Sequence, residues 1–377
     1  MRGVGAGDCI ETPPDYSTLL INSVRPTLEP KDIPSPKLRC HLSPGVCLLA
    51  AWISFLGAAP GKANAADPAS VTLVKAADRV RVEIGGRFFT EYIFGDGASR
   101  SYFYPVLASD GTPLTRDFPM KQTPGEETDH PWHRSMWFAH SSVNGVDFWN
   151  EKGGDHGSSP DEKGHTVVDG AVQTADGAVG VISVRDNWVT PAGKLICTDN
   201  RTIGFHADGS GRFIDFEITL HALPDTPLVI GDNKDGTMAV RLSEWMTMPH
   251  KVKGVDTGGS GRIVTAKGDS DDAAWGKRAD WCDYYSQHDG TTYGVAIFDN
   301  PGNIRHPTWW MARPYGLFGA NPFGQHDFES LKDRPHAGDY TIPAGGSLTL
   351  RYRFYFHTGD TAAADIPGHY SEYAGGH

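Results

Sequence analysis

The segment from Asp129 to Trp149 concentrates side chains that could do chemistry. Its 21 residues include three His, two Asp, one Arg and three Trp. Burying so many polar groups is costly unless a ligand or a reaction makes use of them. We therefore take this segment as the centre of a candidate functional site.

The histidines of the segment suit a divalent metal ion. His130 and His133, with His140 or His326 as a further ligand, would hold Zn, Mn, Fe or Cu through neutral imidazoles. A neighbouring carboxylate such as Asp129 could orient one of the rings. Proline between the first two histidines disfavours a regular helix, so their spacing is that of a loop.

The same segment also suits a sugar bound directly by the protein. Its tryptophans would stack on pyranose faces, its polar side chains would bind hydroxyls, and one His would act as general acid or base. The predicted catalytic residues are His130, His133, Arg134 and Lys234. The predicted substrate-binding residues are Trp132, Trp137, Asn144, Asp147, Trp149, Arg313, Tyr315 and Asn321. A third interpretation needs no ligand: the tryptophans form core and the histidines satisfy buried carbonyls.

The later candidates lie in turn-like segments. Lys234 follows Gly231-Asp232-Asn233, and loops on a rigid scaffold often carry functional groups. Arg313 and Tyr315 lie between two tryptophans and an Asn-Pro-Phe-Gly turn that begins at Asn321. The aromatic side chains around them favour the wall of a site.

The elements that must position these residues are strands. In Ile214–Leu220 and Leu348–Phe356, apolar and polar residues alternate, which is typical of an antiparallel sheet with one solvated face. Turn signals such as Ala207-Asp208-Gly209 separate the strands, and the best helix candidate is the short tail Thr361–Ala374. The sequence predicts an all-β protein, a large antiparallel two-sheet sandwich of the galactose mutarotase-like type. A jelly roll or a propeller is the alternative.

The N-terminal region differs from the rest. Residues 1–65 are predicted to be an upstream extension plus a secretory signal peptide, and residues 66–377 a single β-sandwich domain. Lys37 and Arg39 precede the apolar run Val46–Ala59, and a small-residue stretch ending in Ala65 resembles a cleavage site. The apolar run is shorter than the roughly 20 residues of a membrane-spanning helix. We therefore expect a periplasmic or secreted protein cleaved near Ala65, not an integral membrane protein.

The charge composition of the chain indicates which classes of partner it can bind. The 377-residue chain has 34 Lys and Arg against 46 Asp and Glu, a net charge of −12, and no basic stripe, so nucleic acid is not expected as a partner. Of its five cysteines, only Cys197 and Cys282 lie beyond the leader. They could form one disulfide or stay as two buried thiols.

Several blocks together resemble one protein family. They are the Asp-His-Pro and His-Arg-Ser block at 129–135, Thr115–Met120, Asp232–Gly236, Ala274–Trp281 and Tyr315–Gly324. The chain resembles the PmoA-like family of exported bacterial proteins over roughly Val71 to Gly359, and the block at 129–135 is the most specific part. Trp132 stands where a further His is common in that family, and Met311–Pro314 where His and an acidic residue often appear.

The resemblance implies a protein whose relatives accompany sugar-oxidising dehydrogenases and secreted keto-sugar hydrolases. Together with the residues, it predicts a carbohydrate-active enzyme that acts on a glycoside or keto-sugar by His-mediated proton transfer, with or without one divalent metal ion. A non-catalytic carbohydrate-binding protein is the first alternative. A copper-dependent oxygenase, as the family's label suggests, is the second.

Overall fold

Two large antiparallel sheets dominate the computed structural model, which describes residues 70–151 and 160–376. The predicted extension and signal peptide at 1–65 lie outside the described residues. The strands are β1 (Val71–Lys75), β2 (Arg79–Ile84), β3 (Arg87–Ile93), β4 (Tyr102–Phe103), β5 (Met136–His140), β6 (His165–Val168), β7 (Gln173–Ala175), β8 (Gly180–Val189), β9 (Leu195–Ala207), β10 (Gly211–His221), β11 (Leu228–Ile230), β12 (Gly236–Arg241), β13 (His250–Val252), β14 (Val255–Thr257), β15 (Arg262–Thr265), β16 (Trp281–His288), β17 (Thr291–Asp299), β18 (Trp309–Ala312), β19 (Leu317–Asn321), β20 (Tyr340–Ile342) and β21 (Ser347–Thr358). The helices are α1 (Gln325–Phe328) and α2 (Ile366–Gly375), with short 3₁₀ turns at Glu244–Met246 and Asp271–Ala274.

The strand order defines the two layers. The first sheet runs β1-β2-β3-β4-β5-β12-β19-β18, and the second runs β15-β16-β17-β21-β10-β9-β8-β6, with β7 beside β8. Two small ribbons, β11-β20 and β13-β14, accompany them. The predicted all-β, antiparallel, two-sheet architecture is confirmed.

The alternating strands pack as their sequences predict. On β10, Ile214, Phe216 and Ile218 are fully buried between the sheets. The intervening Asp215 and Glu217 lie opposite arginines of β21 and pair with them. Burial of one face of each strand therefore stabilises the sandwich, and cross-strand ion pairs occupy the other face.

The central strands of the first sheet are buried on both faces. Phe138, Met238 and Ala320 belong to the core between the sheets. Trp137 and Ala239 point the other way, into a separate apolar cluster. Because successive side chains of a strand alternate in direction, the same strands serve the core and the floor of a second structure on the outer face.

The tail and the cysteines complete the fold. The helix expected at Thr361–Ala374 forms later, as α2, because the Asp365 side chain caps its N-terminus by accepting from Gly368. Cys197 and Cys282 are both buried and unpaired, so the two-thiol alternative holds. Within residues 70–151 and 160–376, no helix is long and apolar enough to cross a membrane.

Candidate functional site

A polar cavity of about 90 Å³ opens on the outer face of the first sheet. It is lined by His130, Trp132, His133, Trp149, Asn150, Lys234, Asp235, Trp275, Met311, Arg313, Tyr315 and Leu317. Seven of the residues predicted from sequence thus meet at one place: His130, Trp132, His133, Trp149, Lys234, Arg313 and Tyr315. A cavity of this size has room for a few water molecules or for one end of a small ligand.

A carboxylate–imidazole pair stands at one wall. The Asp129 carboxylate hydrogen-bonds Nδ1 of His130 and also accepts from the guanidinium groups of Arg116 and Arg241. Both arginine side chains are only 1% exposed. A carboxylate that accepts from Nδ1–H fixes the tautomer in which Nε2 is the basic nitrogen of the ring.

The charge of Asp129 is secured by its neighbours. Burial raises the pKa of its carboxyl, whereas the hydrogen bond with His130 lowers it. The charges of Arg241 and Arg116 lower it further, and the resulting pKa lies well below the usual value of 3.8. Asp129 therefore stays ionised and keeps His130 oriented.

Four aromatic rings form a stack along this wall. Tyr315 and His130 lie parallel with centroids 6.0 Å apart, and His130 and His133 are 4.7 Å apart at an interplanar angle of 4°. His133 in turn stacks on Trp137 at 5.3 Å. Trp137 is 1% exposed and lies beneath the cavity, not in its wall. Its predicted contact with a sugar is corrected: it supports His133.

His133 is the most unusual group in the site. Its side chain makes no hydrogen bond with any residue in the described parts of the chain, and Nδ1 is buried without a partner. Burial lowers the pKa of the ring well below 6.5, and the nearby charge of Arg241 lowers it further. The ring is therefore neutral near pH 7, and it lines the cavity.

A tight turn brings both histidines to the wall. The His133 amide donates to the His130 carbonyl over 2.9 Å. His130 and Ser135 adopt left-handed backbone angles, with φ of 42° and 54°, which are uncommon for residues other than glycine. Such strained angles persist only where surrounding structure holds them, and here Arg116 donates to the His130 carbonyl at 2.9 Å.

The hairpin between β18 and β19 supplies another part of the wall. Its turn closes through Arg313 N to Leu317 O and Gly316 N to Arg313 O. Gly316 has a φ of 84°, which an L side chain rarely adopts. This turn fixes Arg313 and Tyr315, two residues apart, at one rim of the cavity.

Arg313 is held by an aromatic ring. Its guanidinium carbon lies 3.3 Å from the ring centroid of Trp275, which follows the 3₁₀ turn Asp271–Ala274. Backbone hydrogen bonds from Gly276 N to Trp310 O and from Trp310 N to Lys277 O tie this loop to β18. The cation–π contact orients the guanidinium without neutralising its charge.

Lys234 comes from the loop before β12. The Asn321 side chain donates to the carbonyls of Asn233 and Lys234, both at 2.9 Å, and the Lys234 amide donates to Asp327. The Lys234 ammonium group lies 3.3 Å from Asp235. Asn321 is fully buried, so its predicted sugar contact is corrected: it positions the loop.

Three further predicted residues are not in the cavity wall. Arg134 pairs with Glu151 at 3.2 Å. Asp147 is fully buried, and its carboxylate accepts from the amides of Trp149 and Asn150. Asn144 bonds the backbone of Pro227 and Val229. These side chains brace the loops that carry the site, which corrects their predicted roles in catalysis and sugar binding.

The predicted metal ligands do not converge. His140 bonds the Gly231 carbonyl through Nε2 at 2.7 Å, and His326 bonds the Leu331 carbonyl through Nδ1. No three of His130, His133, His140 and His326 have ligand atoms within 4.8 Å of one another. Among the described residues, the group that meets this distance is Glu127, Glu244 and His250. The four-histidine arrangement is thus corrected by the geometry.

Sequence reasoning missed part of the wall and the support behind it. The missed wall residues are Asn150, Asp235, Trp275, Met311 and Leu317. Asp235 and Trp275 belong to blocks that the sequence analysis had singled out, and their polar or aromatic character was a usable signal. Met311 and Leu317 also lie in segments with a family resemblance, but their apolar side chains look like those of core residues and gave no sign of a place in the wall. The buried Arg116 and Arg241 behind Asp129 were also missed.

Fold and site together define an antiparallel two-sheet protein with a polar, aromatic-lined cavity on the outer face of one sheet. Residues 79–371 match the family of unknown function DUF6807, and the chain belongs to that family. This match does not test the resemblance to the PmoA-like family, which stays a prediction. No curated protein matches the sequence.

Two solved structures overlap with much of the chain. An α-galactosidase from Lactobacillus brevis is 8% identical with a TM-score of 0.35, over 77% of this chain and 39% of that one. A galactose mutarotase-like protein from Lactobacillus casei ATCC 334 is 9% identical with a TM-score of 0.32, over 76% of this chain and 100% of that one. The chain thus spans about two fifths of the α-galactosidase. Neither likeness bears on the function of this chain.

Proposed function

We propose that this protein is an exported carbohydrate-active enzyme that moves a proton next to a carbonyl group of a sugar. The observation that carries the proposal is the pairing of two unlike histidines. His130 is backed by the Asp129 carboxylate, and His133 is buried beside it without a hydrogen-bond partner among the described residues.

The two rings suit different roles in one proton transfer. His130, with Nδ1 bound to Asp129, offers Nε2 as a general base. His133 is neutral, so the ring nitrogen that carries its proton can donate a hydrogen bond to a substrate oxygen and polarise the carbonyl. Lys234 and Arg313 supply positive charge where an enolate oxygen would form.

The proposed proton transfer needs no co-reactant. The base takes the proton from the carbon beside the carbonyl, and the C–H electron pair moves to the carbonyl oxygen. Return of a proton to the other face gives an epimer, whereas loss of a substituent from the next carbon gives an elimination product. Both outcomes fit a keto-sugar or an oxidised glycoside.

The alternative of a non-catalytic binding protein predicts a shallow aromatic platform with solvated histidines. In this structure Trp132 is 6% and Trp149 1% exposed, and His133 is 2% exposed. A concave cavity lined by a buried histidine favours catalysis over simple binding.

Proton exchange tests the proposal directly. The full-length protein would be incubated in deuterated buffer with methyl 3-keto-glucoside and with sugar acids, and NMR would follow loss of the proton next to the carbonyl. We expect protein-dependent exchange that falls by at least 100-fold in His130→Gln. Equal exchange by wild type and His130→Gln, or no exchange with any of these compounds, would overturn the proposal.

A further inference from the structure

We propose that the ligand of this cavity is an acidic sugar, a uronic or aldonic acid, whose carboxylate is held by Arg313 and Lys234. The inference rests on the proposed function for the chemistry and adds the substrate class. Two observations support it: the net positive charge of the residues that line the cavity, and the lack of an ion pair between Arg313 and any described residue.

Arg313 lacks an ion pair with any described residue. Its side chain lines the cavity, and it makes no hydrogen bond or ion pair with any residue in 70–151 or 160–376. The side chain is only partly exposed, and burial lowers the pKa of its guanidinium, whereas the more distant charges of Asp235 and Asp327 raise it. A cation partly withdrawn from water without a bonded counter-charge is costly. A carboxylate bound to its fork would remove that cost.

The sum of the wall charges selects a monoanion. Lys234 and Arg313 are cations, and Asp235, 3.3 Å from the Lys234 ammonium group, is the anion beside them. The three groups leave one net positive charge, which a single carboxylate balances. The guanidinium fork binds carboxylates and phosphates alike, so the preference for a monoanion rests on Asp235, which disfavours a ligand with a second negative charge.

The arginines behind the cavity already have counter-charges. Arg116, Arg241 and Arg100 are buried there. Asp129 pairs with Arg116 and Arg241, Glu127 pairs with Arg241, and Glu151 lies 3.9 Å from Arg100. Arg313 has no such ion pair with a described residue, so the charge that a ligand would balance is that of Arg313.

A bound carboxylate also completes the reaction. The proton on the carbon beside the carboxylate would pass to Nε2 of His130, and the C–H electron pair would move into the carboxylate. Arg313 and Lys234 would stabilise the resulting enediolate, because its negative charge is greater than that of the substrate. Reprotonation restores the acid, so no other reactant is needed.

Binding experiments on the full chain separate the carboxylate from the sugar. Calorimetry and thermal shift would compare D-glucuronate, D-galacturonate and D-gluconate with D-glucose and D-galactose, and also with glucose 6-phosphate and inorganic phosphate. We expect sugar acids to bind and to raise Tm, and neutral sugars to bind at least 10-fold more weakly. Arg313→Gln should weaken sugar-acid binding by about 10- to 100-fold. Arg313→Lys, which keeps the charge and loses the fork, should fall between.

Matched controls keep the test specific. Lys234→Met should also weaken binding, whereas the exposed Arg87→Gln and Lys194→Met should leave it unchanged. Neutral sugars or phosphate esters binding as tightly as sugar acids would overturn the inference, as would unchanged binding by both Arg313 variants. Sugar acids that bind through Arg313, with no proton exchange on them or on methyl 3-keto-glucoside, would defeat the proposed function and leave this inference standing. If Arg313→Gln still catalyses exchange on methyl 3-keto-glucoside at the wild-type rate, the proposed function stands and this inference is overturned.

Discussion

His130 and His133 lie with their rings parallel, 4.7 Å apart, yet only His130 has a carboxylate partner. Stacking holds the two imidazoles at a fixed separation. The difference in their partners gives one ring an anionic neighbour and leaves the other neutral and buried. Because the stack is a packing contact, the nitrogens of His133 can be removed without breaking any hydrogen bond.

His133→Phe should therefore separate function from stability. Phenylalanine keeps the stack on Trp137, so the free energy of unfolding should change by less than about 1 kcal/mol. Proton exchange and sugar-acid binding should both fall sharply, because the neutral donor is gone. Urea unfolding measures the stability, NMR measures proton exchange, and calorimetry on the folded protein measures binding.

His288→Phe is the control for this substitution. His288 stacks on Trp245 at 4.5 Å, away from the cavity wall, and its replacement should leave exchange and binding intact. A His133→Phe protein that is unstable but still active when folded would show that His133 is a structural residue.

Asp129→Asn should cost much more stability than a surface charge change. It leaves Arg116 and Arg241 without their shared counter-charge, and breaking such a pair costs on the order of 3 kcal/mol. Asp169→Asn, which breaks the exposed pair with Arg185, should cost less than about 1 kcal/mol. Equal unfolding free energies for the two variants would contradict the interpretation that Asp129 stabilises the fold as the shared counter-charge of Arg116 and Arg241.

Asp129 should also shape acid unfolding. Its pKa in the folded protein lies well below 3.8, so its contribution is present above about pH 4 and is lost as the pH falls through the lower folded value. Urea midpoints measured from pH 5 to pH 2 should fall more steeply for wild type than for Asp129→Asn. If the urea midpoints of wild type and Asp129→Asn fall in parallel with pH, the pKa of Asp129 is not lowered in the folded protein.

Histidine burial predicts a second pH effect at milder pH. Burial lowers the pKa of His140 to about 4, whereas the unfolded chain protonates near 6.5. The unfolded state therefore binds more protons in this window, and stability should fall by up to about 1.4 kcal/mol per pH unit as pH drops from 6.5 towards 4. His140→Gln can keep the bond to the Gly231 carbonyl and should reduce this slope relative to wild type. An unchanged slope would mean that His140 titrates normally when folded.

The thiols of Cys197 and Cys282 should be unreactive in the native protein. Burial raises the pKa of Cys197 and of Cys282 well above the usual value of 9.0. Neither should react with a thiol reagent until the protein is unfolded, and both should then react without prior reduction. Rapid labelling of folded protein, or no labelling after unfolding, would contradict the structure.

Export remains a sequence prediction and has its own test. Intact mass of protein recovered from the periplasm should place the mature N-terminus within a few residues of Ala66. Such a protein would contain two cysteines, against five in the full chain. Recovery only from the cytoplasm, or a mass that includes residues 1–45, would refute the predicted signal peptide.

The fold was predictable wherever one face of a strand meets water. On β10 and β21 the alternation of apolar and charged residues is visible in the sequence, and both strands pack as expected. On β5 and β12 every residue is buried, because loops cover the outer face. Such strands show no alternation of polarity, so their second role as the floor of the site could not be inferred.

The site was predictable only where its residues are close in sequence. His130, Trp132 and His133 follow one another, and their composition marks a site. The same local signal wrongly included Asp147, because composition does not tell which side chains turn towards a cavity and which brace a loop. Arg241 lies 112 residues from Asp129, and only the pairing of β5 with β12 makes their contact visible.

Alternation along the central strands leaves ligand preference free to evolve. Phe138, Met238 and Phe318 face the inter-sheet core, whereas Leu317 and Met311 face the cavity. A substitution at the latter two positions would reshape the pocket without repacking the sandwich. Proteins with the same scaffold could therefore diverge in the ligands they accept by changing few residues, and directed evolution for a new ligand should begin at these outward positions.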